Sequence, residues 1–206
     1  MEHKPHPEPQ PLPWHWRLLE RWFEHAYRTE LLDPDDPSCL FAFNLYPHQG
    51  AEVNLQCGGV VRPGDTVLEI HFRREALAPL IATRDPARMG LGLLKLGDRD
   101  IPRLALALES DPRLSSVRAL HALTLFHRGI HRYGFEVQPV KEWHLARWFT
   151  WWHRLVMARD HALGSSRVVP HLDTLVTQHV WVSRDELVRR YGEQGTHRRR
   201  SAPRQG

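Results

Sequence analysis

Apolar residues first recur at helical spacing over residues 14–30, where Leu18, Trp22 and Ala26 form one stripe and Leu19, Phe23 and Tyr27 lie beside it. The spacing predicts an amphipathic helix. Asp33-Pro34-Asp35-Asp36-Pro37-Ser38 then breaks it, because proline restricts the residue before it and aspartates favour turns. From Cys39 to Phe72 the pattern shifts to short extended runs at 40–46, 51–56 and 66–72, separated by His48-Gln49-Gly50 and Arg62-Pro63-Gly64-Asp65. These runs predict a small antiparallel meander. Alternation in the third run places Val67, Glu69, His71 and Arg73 on one face and Thr66, Leu68, Ile70 and Phe72 on the other.

Helices are expected over 74–82, from Asp85-Pro86 to about Leu96, and over 101–109 after a break at 97–100. Residues 117–123 are apolar on both faces, as in a buried strand. They lead into either a helix over 124–133, closed by Gly134, or one continuous helix over 116–133. A strand at 135–139 precedes the longest helix, 142–163, whose Trp148, Trp152 and Leu155 stripe is suited to covering a sheet. Residues 164–178 are poorly patterned. Ser183 with Glu186 forms a capping box for a last short helix through Tyr191, ended by Gly192. The elements predict an α+β fold with a small mixed sheet covered by helices. Its single domain spans 14–192, between a proline-rich disordered lead at 1–13 and a basic disordered tail at 193–206.

The composition, 41% hydrophobic and 25% charged over 206 residues, supports a globular core rather than disorder. The formal net charge is +4, but Arg198, Arg199, Arg200 and Arg204 sit in the tail against Glu193 alone, so the body is nearly neutral. Nucleic acid is therefore not an expected partner, since phosphate binding needs cations clustered on a folded face. Two cysteines without zinc-type spacing fit a reducing compartment, so the cytoplasm is the expected location. No run is long enough to span a bilayer, and any membrane role would be peripheral at the inner face.

Glu69 and His71, two residues apart on one strand face, could orient an imidazole as a general base or form part of a ligand shell. The same pattern also fits a polar pair on a half-solvated sheet face. His121, His127 and His131 form a second cluster, in which His127 and His131 would share a helix face with Arg128 between them, but no H-E-x-x-H supplies a carboxylate, and metal is not expected. If the 66–72 strand lies beside the 117–139 unit, Arg73, Arg74, Arg128 and Arg132 would gather near Glu69 and His71 and could grip a phosphate or sugar carboxylate. Candidate ligand-binding residues are thus Glu69, His71, Arg73, His127 and Arg128, with Glu69, His71 and at least one of His127 or Arg128 expected on one accessible concavity. The catalytic residues and any cofactor stay unassigned, because no complete catalytic motif, P-loop or dinucleotide-binding pattern occurs. The tryptophan-rich helix with Arg147, Arg154 and Arg159 would also suit an anionic membrane interface.

The segment Gly64-Asp65-Thr66-Val67-Leu68-Glu69-Ile70-His71, the run Ala119-Leu120-His121-Ala122-Leu123-Thr124-Leu125-Phe126-His127-Arg128-Gly129 with Gly134-Phe135, and Val180-Trp181-Val182-Ser183-Arg184 together resemble the YkoP-like domain family of bacteria. The resemblance runs from Trp14 to Tyr191. The chain departs from the family at Arg73-Arg74, where members often carry asparagines. Members occur alone or joined to polysaccharide deacetylase-like domains. The resemblance therefore implies a noncatalytic binding or accessory module of cell-envelope polysaccharide or glycolipid metabolism, with a deacetylase-like or other envelope enzyme as partner. An unassigned hydrolase or transferase using Glu69, His71 and His127 is the alternative, followed by nucleic-acid or anionic-membrane binding through the tail and the tryptophan-rich helix.

Overall fold

A computed structural model describes residues 29–81, 86–160 and 176–196. The expected lead, the first helix up to residue 28, most of the 164–178 segment and the last ten residues of the tail lie outside the described residues. The strands are β1 (Glu30–Leu31), β2 (Phe41–Pro47), β3 (Val53–Asn54), β4 (Val60–Val61), β5 (Thr66–Phe72), β6 (Val117–Thr124), β7 (Glu136–Pro139) and β8 (Gln178–Ser183). The helices are α1 (Arg74–Ile81), α2 (Pro86–Ser110), α3 (Trp143–Asp160) and α4 (Arg184–Tyr191). Six strands form one mixed sheet in the order β1-β2-β5-β6-β8-β7, parallel between β5 and β6 and antiparallel elsewhere. The α+β expectation holds.

The connections differ from the expected meander. The run at 51–56 does not join the main sheet. Instead Val53–Asn54 pairs with Val60–Val61 as a separate hairpin. Gly58, at φ 87°, supplies the left-handed turn between them. β2 therefore pairs directly with β5, and α1 and α2 carry the chain over to β6 for the parallel pairing that a hairpin cannot make.

One sheet face is apolar. Phe43 and Ile70, Leu68 and Leu120, then Leu120 and Val182 face each other in register and pack with Ile101, Leu104 and Leu108 of α2 and Leu187 and Tyr191 of α4. α2 is one helix of 25 residues, so the break expected at 97–100 is absent. A Cβ at Gly97 would stand 2.9 Å from the hydroxyl of Tyr133, and that glycine marks a close approach rather than a helix end.

Neither helix expected over 116–133 forms. β6 runs on to Thr124, and a turn and a short 3-10 helix, Ile130–Tyr133, follow it. Gly134 takes the left-handed closing position, φ 91°, as expected. The Ser183 cap also holds, its hydroxyl accepting from the backbone N–H of Glu186. The Glu186 carboxylate, however, pairs with Arg189 and Arg190. Gly192 follows α4 at φ −59°, without the left-handed conformation.

Candidate functional site

The second face of the sheet is divided. Toward one end Val67, Ala119 and Trp181 are sealed beneath Leu55 and Val61 of the β3–β4 hairpin. Toward the other end the alternation of β2, β5, β6 and β8 leaves Asn44, Glu69, His71, His121 and His179 on the same face. The register is continuous: Asn44 stands opposite Glu69, Glu69 opposite His121, and His121 opposite Trp181. Three strands thus bring an amide, a carboxylate and an imidazole side by side.

His71 Nε2 lies within hydrogen-bond reach of Asn44 Oδ1 and 3.6 Å from Glu69 Oε2. Both neighbours are acceptors, so Nε2 carries the proton. Burial pushes the Glu69 carboxyl up. The hydrogen bond and imidazole of His71, helped by His121 and Asn44, outweigh that effect and hold it below the usual range. Among the described residues no lysine or arginine reaches Glu69, and its ion-pair contact is His71 alone.

Beside this pair runs a second chain of polar groups. The Tyr46 hydroxyl lies 3.2 Å from His121 Nδ1, and His121 Nε2 lies 2.9 Å from His179 Nδ1. Trp181 stacks on His121 at 4.2 Å between ring centroids, and His48 meets Trp181 edge-on. Burial, with the neighbouring His179 ring, lowers His121 to about 3, so this imidazole is neutral at ordinary pH. Burial likewise lowers His179, against the opposing effect of Glu142 just ahead of α3.

The expected site residues are distributed as follows. Glu69 and His71 share the face. Arg73 follows the same strand, but its guanidinium donates to the carbonyls of Asp33 and Asp36 and ties down the turn before β2. Arg132 pairs with Asp98 on α2. β5 does lie beside β6, yet these two arginines are committed to different elements. His127 and the exposed Arg128 lie in the turn beyond the C-terminal end of β6. The groups that hold Glu69 are Asn44, His71 and His121. His127 and His131 share no helix face, since His131 lies in the 3-10 helix. Among the described residues no group of three or more His, Cys, Asp and Glu is placed to hold a metal ion.

Asn44, Tyr46 and His179 complete the arrangement without having been singled out, and His121, grouped in the sequence with His127 and His131, stands beside Glu69 instead. The alternation His179-Val180-Trp181-Val182-Ser183 carries the strand signal that locates His179, with polar and apolar positions trading places along β8.

α3 departs from its expected role as a cover for the sheet. Trp143, Trp148 and Trp151 are 68%, 50% and 58% exposed, and Trp148 stacks on Trp152 rather than entering the core. The helix is anchored by its other side, where Thr150 Oγ1 accepts from the Thr177 N–H and His153 Nδ1 lies 3.0 Å from Thr177 Oγ1. No described helix is long and apolar enough to cross a membrane.

The chain is matched over residues 11–191 by a family model, the YkoP domain, and belongs to that family. The uncharacterized protein YkoP of Bacillus subtilis strain 168 is 23% identical over 123 residues, covering 59% of this chain and 67% of that protein. No solved structure matches the chain.

Proposed function

We propose that the chain is a noncatalytic binding or accessory module whose polar sheet face takes a hydroxyl-rich, uncharged or cationic saccharide of the cell envelope. It would serve a polysaccharide deacetylase-like or other envelope enzyme from the cytoplasmic side. The observation that carries this reading is Glu69. It is an ionised carboxylate on a half-buried face, with imidazoles and an amide around it and no lysine or arginine in reach among the described residues. Such a group repels phosphate and carboxylate and favours ammonium or hydroxyl donors. Of the two ligand classes that the family resemblance implies, the charge favours polysaccharide over anionic glycolipid.

Titration of the labelled protein with oligomers of glucosamine, N-acetylglucosamine and galacturonate tests it by NMR. Glucosamine and N-acetylglucosamine oligomers are expected to shift Asn44, Glu69 and His71, while galacturonate binds at least about tenfold more weakly. Glu69→Gln should remove the preference for the cationic oligomer. Tighter binding of galacturonate, or shifts confined to other faces, would remove this assignment.

A second reading, contact with an anionic membrane, is favoured by the exposed indoles of α3 and by Arg147, which lies over the Trp143 ring at 5.7 Å. On that reading, vesicles containing phosphatidylglycerol should shift tryptophan fluorescence to the blue and carry the protein down on sedimentation, less so as salt is raised. Unchanged emission at low salt would dismiss it.

A further inference from the structure

We propose that Tyr46, His121 and His179 form a reversible hydrogen-bond relay, which lets the outward nitrogen of His179, Nε2, accept a hydrogen bond from a ligand hydroxyl on the Glu69 face. The proposal deepens the site reading above, since it assumes that a hydroxyl-bearing ligand reaches this face.

Each link of the relay can run in either direction. In one state Tyr46 donates to His121 Nδ1, His121 Nε2–H donates to His179 Nδ1, and His179 presents N–H at Nε2. In the other, His179 Nδ1–H donates to His121 Nε2, His121 Nδ1–H donates to the tyrosine oxygen, and His179 presents a lone pair at Nε2. Both states are neutral: in passing from the first to the second, His179 Nε2 releases its proton to water, one proton shifts along each link, and the partly exposed Tyr46 oxygen regains one from water. The link to His121 needs a group able both to donate and to accept, and the Tyr46 hydroxyl is such a group. His179 Nε2 has no hydrogen-bond partner among the described residues, and its ring is only partly buried.

The groups facing the relay are Glu69 and His71 from β5, His48 from the connection after β2, and Glu142 ahead of α3. Of these, Glu142 opposes the lowering of His179 by burial. The ligand keeps its proton, because its O–H donates to the Nε2 lone pair and no covalent bond breaks.

Acylation by diethyl pyrocarbonate reads the lone pair directly. Nε2 attacks a carbonyl carbon, a C–O bond breaks, and the departing ethyl carbonate takes up the proton from Nδ1 and decomposes to ethanol and carbon dioxide. Tyr46→Phe leaves His121 Nδ1 without an acceptor, which favours the state in which His179 carries hydrogen at Nε2. In the wild type His179 is expected to be acylated, as located by peptide mass spectrometry. In the variant its rate should fall about tenfold or more, although Tyr46 is two hydrogen bonds away. An equal rate in the two proteins, or no acylation of His179 in the wild type, overturns the relay.

Long-range proton–nitrogen correlation of the wild-type histidines supplies a reading that needs no variant. A substantial Nδ1–H population at His179 is expected, and His179 wholly in the Nε2–H form defeats the proposal. The saccharide titration with Glu69→Gln is independent of both measurements. Binding retained without a Tyr46 effect sinks the relay alone, whereas a Tyr46 effect without any saccharide binding sinks the ligand assignment alone.

Discussion

Replacing Asp100 with alanine is expected to destabilise the fold by about 2–4 kcal/mol. Asp100 is fully buried on α2, where its carboxylate accepts the backbone N–H of Leu40 at 2.7 Å and the Arg99 guanidinium at 2.7 Å through both oxygens. Arg103 reaches the same carboxylate at 3.4 Å and pairs with Asp36 at 2.8 Å. Ser38, donating through hydroxyl and backbone N–H, and then Arg103 hold the Asp36 carboxyl far below its usual range.

This network clamps the turn before β2 onto the long helix and so fixes where β2 enters the sheet. Alanine would leave the Leu40 N–H buried without an acceptor. The arginines, being partly exposed, can turn back to water, which keeps the loss below that of a fully buried pair. Urea unfolding followed by far-ultraviolet circular dichroism measures it. A change under about 0.5 kcal/mol would show that the clamp is not a source of stability. Because β2 carries Asn44 and Tyr46, the same variant should weaken the polar face even where the chain stays folded.

The second large effect is loss of stability in acid. His121 is lowered to about 3 and His153 to about 4, both chiefly by burial, against an ordinary value of 6.5. Below pH 6.5 the unfolded chain binds these protons and the folded chain does not. Stability is therefore full above that pH and falls as the pH drops toward 4. Each site contributes a slope of about 1.4 kcal/mol per pH unit within that window. Glu69, lowered in the folded state, adds to the loss in the same direction below its ordinary value of 4.5. Urea midpoints at pH 7, 6, 5 and 4 should decline steeply. His121→Gln should flatten the decline by about one proton's worth, since glutamine cannot titrate. An identical pH profile in that variant would show that His121 is protonated freely in the folded protein.

The strand carrying Glu69 and His71 was readable because both periodicity and turn chemistry acted locally: Arg62-Pro63-Gly64-Asp65 opens it, and alternation sets its faces. The same local reasons located residues 41–46 of β2, β7, the Ser183 cap and the left-handed Gly134. Gly97 misled because a helix interior with glycine reads as a break, whereas here α2 needs a residue without a side chain where the Tyr133 ring presses on it. The His127–His131 spacing misled because helical periodicity was assigned to a segment that β6 and a tight turn occupy. The parallel partner of β5 lies about fifty residues away, and loss of a local hairpin signal says nothing of that choice.

The sequence by itself determined the α+β class and which face of β5 is polar, because alternation and helical spacing are properties of neighbouring residues. Only the tertiary structure decided that Asn44, Glu69, His121 and His179 meet. Their strands are joined by hydrogen bonds between segments far apart in the chain, Glu69 standing opposite His121 and Ala119 opposite Ser183, and no local propensity fixes such a register. Burial of the opposite face against α2 and α4 does so, since a slip of one residue would turn Leu68 and Leu120 to the polar side and Glu69 and His121 into the core.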